Sequence, residues 1–173
     1  MIIDQLLEKN QEFLRNFKGE DPGKRPAKKL AIVTCMDTRL TDFLEPAMGL
    51  ERGDAKIIKN AGNTITDDAL RSLVVAVHSL GVEEIMVIGH TDCGMANVDF
   101  ERLRETMEEK GVPPDFIEEL GLEDWILAID DEEKNVIEGV RTIKEFRAIP
   151  HDIPVHGLII DVRTGELKVL HRD

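Results

Sequence analysis

Cys35 and Cys93 are the only two cysteines of the chain, and His90 stands three residues before the second of them. Around the first thiol, Thr34-Cys35-Met36-Asp37-Thr38-Arg39 places a thiol, a carboxylate and a guanidinium at alternate positions. An extended backbone would direct Cys35, Asp37 and Arg39 to one side, into a shared pocket. Around the second, Gly89-His90-Thr91-Asp92-Cys93-Gly94 sets an imidazole and a thiol at a spacing that suits two ligands of one metal ion. Zinc takes thiolate and imidazole readily, and three protein ligands leave the fourth tetrahedral position open for water. Cys35, His90 and Cys93 therefore read as a catalytic zinc centre. If Gly94 starts a helix, its N-terminal dipole would help to hold Cys93 as thiolate. Taken singly, a buried cysteine is usually a small core residue and a lone histidine a hydrogen-bonded core group. The joint placement of both cysteines and a histidine at strand ends is what favours a metal. His78, in a helical pattern, His151, in a proline-flanked loop, and His171, beside the C-terminus, read as surface groups. His156 begins a strand, and nothing in the sequence brings it to the site.

The elements that must position these residues can be read from hydrophobic period. Leu30 to Thr34, Ala55 to Ile58, Ile85 to Gly89 and Val155 to Val162 are short apolar runs rich in β-branched residues, which predicts strands. Asp67 to Leu80 and Asp131 to Phe146 carry helical spacing between them. The alternation predicts an α/β fold, with a mostly parallel central sheet flanked by helices and active residues just past the carboxyl ends of strands. Residues 2 to 17 form an apolar stripe at helical spacing, and Gly19, Pro22, Gly23 and Pro26 break the chain after it. Residues 1–29 thus read as an N-terminal helical arm and linker that can pack away from its own core. Asp130 to Glu133 reads as a solvated helix start, its charge suited to the helix dipole. Glu101 to Lys110 looks helical and Pro113-Pro114 restarts the chain, but the segment around Trp125 fits no element. Arg163 to Glu166 reads as a hairpin turn between Leu158–Val162 and Leu167–Leu170.

The 173 residues, 42% of them hydrophobic, suit one domain spanning 1–173 whose core needs no disulfides. A net charge of −13, from 35 acidic against 22 basic residues, disfavours nucleic acid or an anionic membrane as partner and suits a small-molecule substrate. No apolar run approaches the ~20 residues of a membrane span, and Met1-Ile2-Ile3-Asp4 lacks signal-peptide features, so a cytoplasmic protein is expected.

Cys35 to Arg39, then Asn60-Ala61-Gly62-Asn63, then His90 to Gly94, resemble in order and chemistry the three motifs of the β-class carbonic anhydrases. Asn135 to Val140 and His156 to Asp161 also look like the short archaeal and bacterial members, so the resemblance covers nearly the whole chain. It implies one zinc ion per chain on Cys35, His90 and Cys93, a catalytic dyad of Asp37 and Arg39, and interconversion of carbon dioxide and bicarbonate by zinc-bound hydroxide. It also implies a homodimer or higher homo-oligomer that exchanges N-terminal arms. Asn63 and the Gly62 backbone are expected to support the site, and Gly62 and Gly94 to let main chain approach the pocket closely. Met36 and Gly94 are taken as substrate-pocket residues. Thr38 replaces the usual serine and keeps the hydroxyl. The chain has no tyrosine, so the Trp-Arg-Tyr bicarbonate site of allosteric members is not expected. Two alternatives stand beside this reading. One is hydrolysis of carbonyl sulfide or carbon disulfide at the same zinc; the other is a structural or redox-sensing zinc module without turnover.

Overall fold

The apolar runs pair into a five-stranded sheet in the order β2-β1-β3-β4-β5, in a computed structural model that describes residues 1–19 and 21–173. The strands are β1 (Leu30–Cys35), β2 (Ala55–Asn60), β3 (Glu84–His90), β4 (Val155–Ile160) and β5 (Leu167–His171). The β1·β2, β1·β3 and β3·β4 ladders are parallel, and β5 runs antiparallel to β4. Every residue of β1 is buried: Ala31 and Val33 face one core cluster, Leu30 and Ile32 the other. That two-sided burial explains why the strands read as continuous apolar runs rather than alternating ones. The turn after β4 forms at the expected place, with the Asp161 carboxylate accepting the N–H groups of Arg163 and Thr164 and Gly165 at φ +78°.

The helices are α1 (Ile2–Asn16), the one-turn α2 (Leu44–Ala47), α3 (Asp67–Leu80), α4 (Phe100–Glu109), α5 (Pro114–Leu120), α6 (Leu122–Ile126) and α7 (Glu132–Glu145). Thr66 caps α3 through the Ala69 N–H, and Asp131 caps α7 through the Lys134 N–H. The segment that fitted no element proves to be two short helices. Pro114 opens α5, where its missing N–H costs nothing, and Gly121, at φ +61°, turns the chain into α6. Trp125 is largely exposed there. Helix α1 has no buried residue, and Ile2, Leu6, Leu7, Phe13 and Leu14 all stand out to solvent.

Helix α7 lies unusually close to the sheet because three positions carry no side chain. A Cβ at Gly89 on β3 would meet Val136 Cγ2 at 2.7 Å, and one at Gly157 on β4 would meet Val136 Cγ1 at 2.9 Å. On the helix itself, a Cβ at Gly139 would meet Ile65 at 3.0 Å and Val87 at 3.3 Å. The consequence is reach: side chains in the first turn of α7 extend to the loops that follow β2 and β3, at Gly62 and Cys93.

Candidate metal centre

Cys35 is the last residue of β1 and His90 the last of β3, its parallel neighbour. Cys93 comes after a turn in which Asp92 takes the left-handed conformation, φ +56°. The three ligand atoms lie within 4.8 Å of one another, all buried. Cys35 Sγ and Cys93 Sγ are 4.0 Å apart, far beyond disulfide length. Two thiolates on one tetrahedral zinc, each ~2.3 Å from it, would lie about 3.8 Å apart. His90 Nδ1 donates to the Thr91 carbonyl at 2.9 Å, which leaves the Nε2 lone pair free. Nε2 is fully buried and meets no hydrogen-bonding partner among the described residues. An orphaned imidazole nitrogen facing two thiols is the donor set a zinc ion fits.

Burial raises the Cys35 thiol, but His90 and the backbone N–H groups of Asp37 and Gly62 outweigh it and bring it down to about 7. Burial likewise pulls His90 down, and the Cys35 sulfur and the Thr91 carbonyl more than reverse that. Cys93 goes the other way: burial pushes it up to about 11, against a single favourable backbone N–H from Met95, and the nearby Cys35 and Glu132 add to the rise. The helix start expected at Gly94, with its favourable dipole for the Cys93 thiolate, does not form. Gly94–Asn97 form only a four-residue 3-10 turn, too short to supply much of a dipole.

Asp37 and Arg39 share the site, though not by strand alternation. The strand ends at Cys35, and Asp37 caps a 3-10 turn, Thr38–Arg39–Leu40, accepting the Arg39 N–H at 2.8 Å. The turn folds the guanidinium back onto its own cap: Arg39 Nε donates to Asp37 Oδ1 at 3.0 Å and Nη2 to Oδ2 at 2.8 Å. The Arg39 contacts hold the Asp37 carboxyl down at about 2. Arg39 also donates to the Asp92 carboxylate at 2.9 Å and to the Asp92 carbonyl at 2.8 Å, which ties the first ligand loop to the second. Asp37 Oδ2 stands 3.8 Å from His90 Nε2.

A cleft of about 390 Å³ opens over Cys35, Asp37, Arg39 and Cys93, with Met36, Thr38, Ala61, Gly94 and Met95 in its walls. Gly62 takes φ +71°, and a Cβ there would meet Met95 Cβ at 3.1 Å, so close approach does require that glycine. Gly94 has open space around it, and the same reason does not apply. Asn63 is buried behind the site at φ +49°. His156 pairs with Glu84 at 3.1 Å near the opposite end of the sheet, away from the centre.

Two residues of α7 enter the site unannounced by the sequence. Glu132 Oε1 accepts the Cys93 N–H at 3.2 Å, and Asn135 Nδ2 donates to the Gly62 carbonyl at 2.8 Å. The acidic run is thus only partly a solvated helix start: Glu133 is exposed and pairs with Lys168, whereas Asp131 caps the helix and Glu132 faces inward. The sequence signal available was their i, i+3 spacing on one helix face.

Residues 30–167 match the family model described as carbonic anhydrase. The crystal structure of β-carbonic anhydrase isoform I from Trichomonas vaginalis superposes with a TM-score of 0.94 at 38% identity, covering 98% of this chain and 97% of that one. β-carbonic anhydrase 1 of Mycobacterium tuberculosis (strain ATCC 25618 / H37Rv) is 34% identical over 96% of each chain. A carbon disulfide hydrolase of Acidithiobacillus thiooxidans is 32% identical over 83% of this chain and 78% of that protein.

Proposed function

The chain belongs to the β-class carbonic anhydrase family and is a carbonate dehydratase, and on that premise we propose that Cys35, His90 and Cys93 hold one zinc ion. The observation that carries the metal assignment is the buried His90 Nε2, which has no hydrogen-bond partner among the described residues and faces two thiols. Bound there, zinc would supply the Lewis acidity that lowers the pKa of water and so gives a nucleophile for carbon dioxide. The chain's own groups do the rest. Thr91 accepts the His90 Nδ1–H, so in the neutral imidazole Nε2 carries the lone pair offered as a ligand. With its carboxyl held at about 2, Asp37 stays ionised across the working range and is too weak a base to carry the proton away. Its role is to accept a hydrogen bond from the nucleophile and aim the remaining lone pair at the carbon. Arg39 grips both Asp37 oxygens, which keeps the carboxylate from swinging toward the ligands 3.8 Å away. Met36 and Gly94 form part of the wall the substrate passes.

The same reading has the chain work as one domain in the cytoplasm, as a dimer or larger homo-oligomer. Helix α1 supports this, since it has an exposed apolar stripe and no buried residue of its own. Among the described residues no helix is long and apolar enough to cross a membrane. The test is zinc content together with stopped-flow hydration of carbon dioxide; about one zinc per chain with turnover is expected. The relationship to carbon disulfide hydrolases makes carbon disulfide the control substrate. Equal or faster turnover of it would replace the hydration reading.

A further inference from the structure

Cys93 supplies a ligand from a loop that no strand ladder holds. It lies between a left-handed residue and a short 3-10 turn, and it is buried, so its N–H must find a partner inside the protein. That partner is the Glu132 carboxylate, 39 residues further along the chain. One helical turn on, Asn135 holds the Gly62 carbonyl, and the Gly62 N–H acts on the Cys35 sulfur. Just before the helix, the Ile129 N–H donates to the Met95 carbonyl at 3.0 Å, bracing the turn after Cys93.

We propose that Glu132 is a positioning residue for the metal centre: by holding the Cys93 main chain it keeps Sγ at ligand distance from Cys35 and His90, while Asn135 braces the Gly62 loop beneath Cys35. The inference rests on the zinc reading above and goes beyond it by placing part of the metal affinity in helix α7. Glu132 touches neither metal nor substrate. Its hold on the loop is hydrogen-bond acceptance, whereas its charge opposes the Cys93 thiolate, so an uncharged side chain with an oxygen at the same place must serve.

Zinc affinity, measured by competition with a chromogenic chelator, tests this on Glu132→Ala, Glu132→Gln and, as control, Glu133→Ala. Glu133 lies in the same helical turn but is exposed and paired with Lys168, so its loss removes equal charge without touching the loop. Glu132→Ala should weaken zinc binding about 10- to 100-fold, as loss of an outer-shell partner does. Glu132→Gln should remain within about threefold of the parent, because its amide oxygen accepts the same N–H. Glu133→Ala should match the parent. In metal-free protein the Cys93 amide should exchange faster in Glu132→Ala than in the parent, a readout that needs no zinc. Unchanged affinity in Glu132→Ala, a Glu132→Gln as weak as the alanine variant, or an equal loss in Glu133→Ala would each overturn the proposal. A parent protein that takes up no zinc would remove the metal reading, and the amide exchange would still decide whether Glu132 holds Cys93.

Discussion

Gly89→Ala tests whether the closeness of α7 to the sheet matters to the site. The added Cβ would meet Val136 Cγ2 at 2.7 Å, whereas carbon atoms pack at ~3.5–4.0 Å, so the helix must retreat by about 1 Å or Val136 must leave its place. Gly89 has no left-handed backbone conformation to protect, so the penalty is steric. Overpacking of this kind costs about 1–3 kcal/mol, and in a chain of this length each kcal/mol shifts Tm by about 2–4 °C. A Tm fall of roughly 2–12 °C in metal-free protein is expected. Metal loading should suffer too, because a 1 Å retreat stretches the 3.2 Å contact from Cys93 to Glu132 past hydrogen-bond length. The assay is thermal unfolding at fixed protein concentration, alongside chelator competition for zinc. Val136→Ala in the same chain removes the clashing methyl, so the double variant should lose less than the sum of the two single changes and recover zinc affinity. A Gly89→Ala protein identical to the parent in both measurements, or strictly additive effects in the double variant, would refute the packing argument.

Cys35→Ser, His90→Ala and Cys93→Ser should each remove most of the zinc, measured by elemental analysis after gel filtration, because among the described residues the cluster has three members and the nearby Asp37 is held by Arg39. Asp37→Asn should keep the zinc and lose on the order of 10²-fold in kcat/KM for hydration, as removal of a positioned hydrogen-bond group does. The Asp37 carboxyl, depressed in the folded state, contributes stability that is complete above ~3.9 and lost only as the pH falls through about 2; it should therefore leave no inflection in a wild-type activity profile above pH 5. Arg39→Ala frees that carboxylate, and its kcat/KM deficit should widen as the pH falls, which a constant ratio to wild type across pH 6–9 would contradict. Deleting residues 1–17 should shift the protein toward monomer in light scattering, and an unchanged mass would show that the exposed stripe of α1 serves no partner subunit.

The convergence of Cys35, His90 and Cys93 was legible because their chemistry is rare in this chain. Two cysteines and a nearby histidine, each just past an apolar run, leave few other uses, and parallel pairing of β1 with β3 then makes those two ends neighbours. The strands and the two long helices were legible for a related reason: burial on both faces writes continuous apolar runs, and one-sided burial writes a helical period. The pairing of Asp37 with Arg39 was also visible, but its cause was not. Alternation suggested an extended chain, whereas a carboxylate that can cap its own turn prefers to do so, and the turn brings the guanidinium back. Helices α5 and α6 escaped because neither is long enough to show a period, and only the proline and glycine boundaries mark them.

Glu132 shows why the supporting half of a site resists sequence reading. Its local context, an acidic helix start, is fully explained by the helix dipole, so nothing in the run calls for another role. The distinction between Glu132 inside and Glu133 outside depends on the rotation of α7 about its axis. That rotation is set by Val136 seating against Gly89 and Gly157, two strand positions 68 residues apart that carry no side chain. A glycine inside a buried strand, weak as a strand former, was therefore the one local mark of the arrangement: it signals that another element comes close, though not which one. Once α7 is the element, Glu132 and Asn135 must face the ligand loops, because positions three apart share a helix face and Val136, one turn on from Glu132, fixes that face against the sheet.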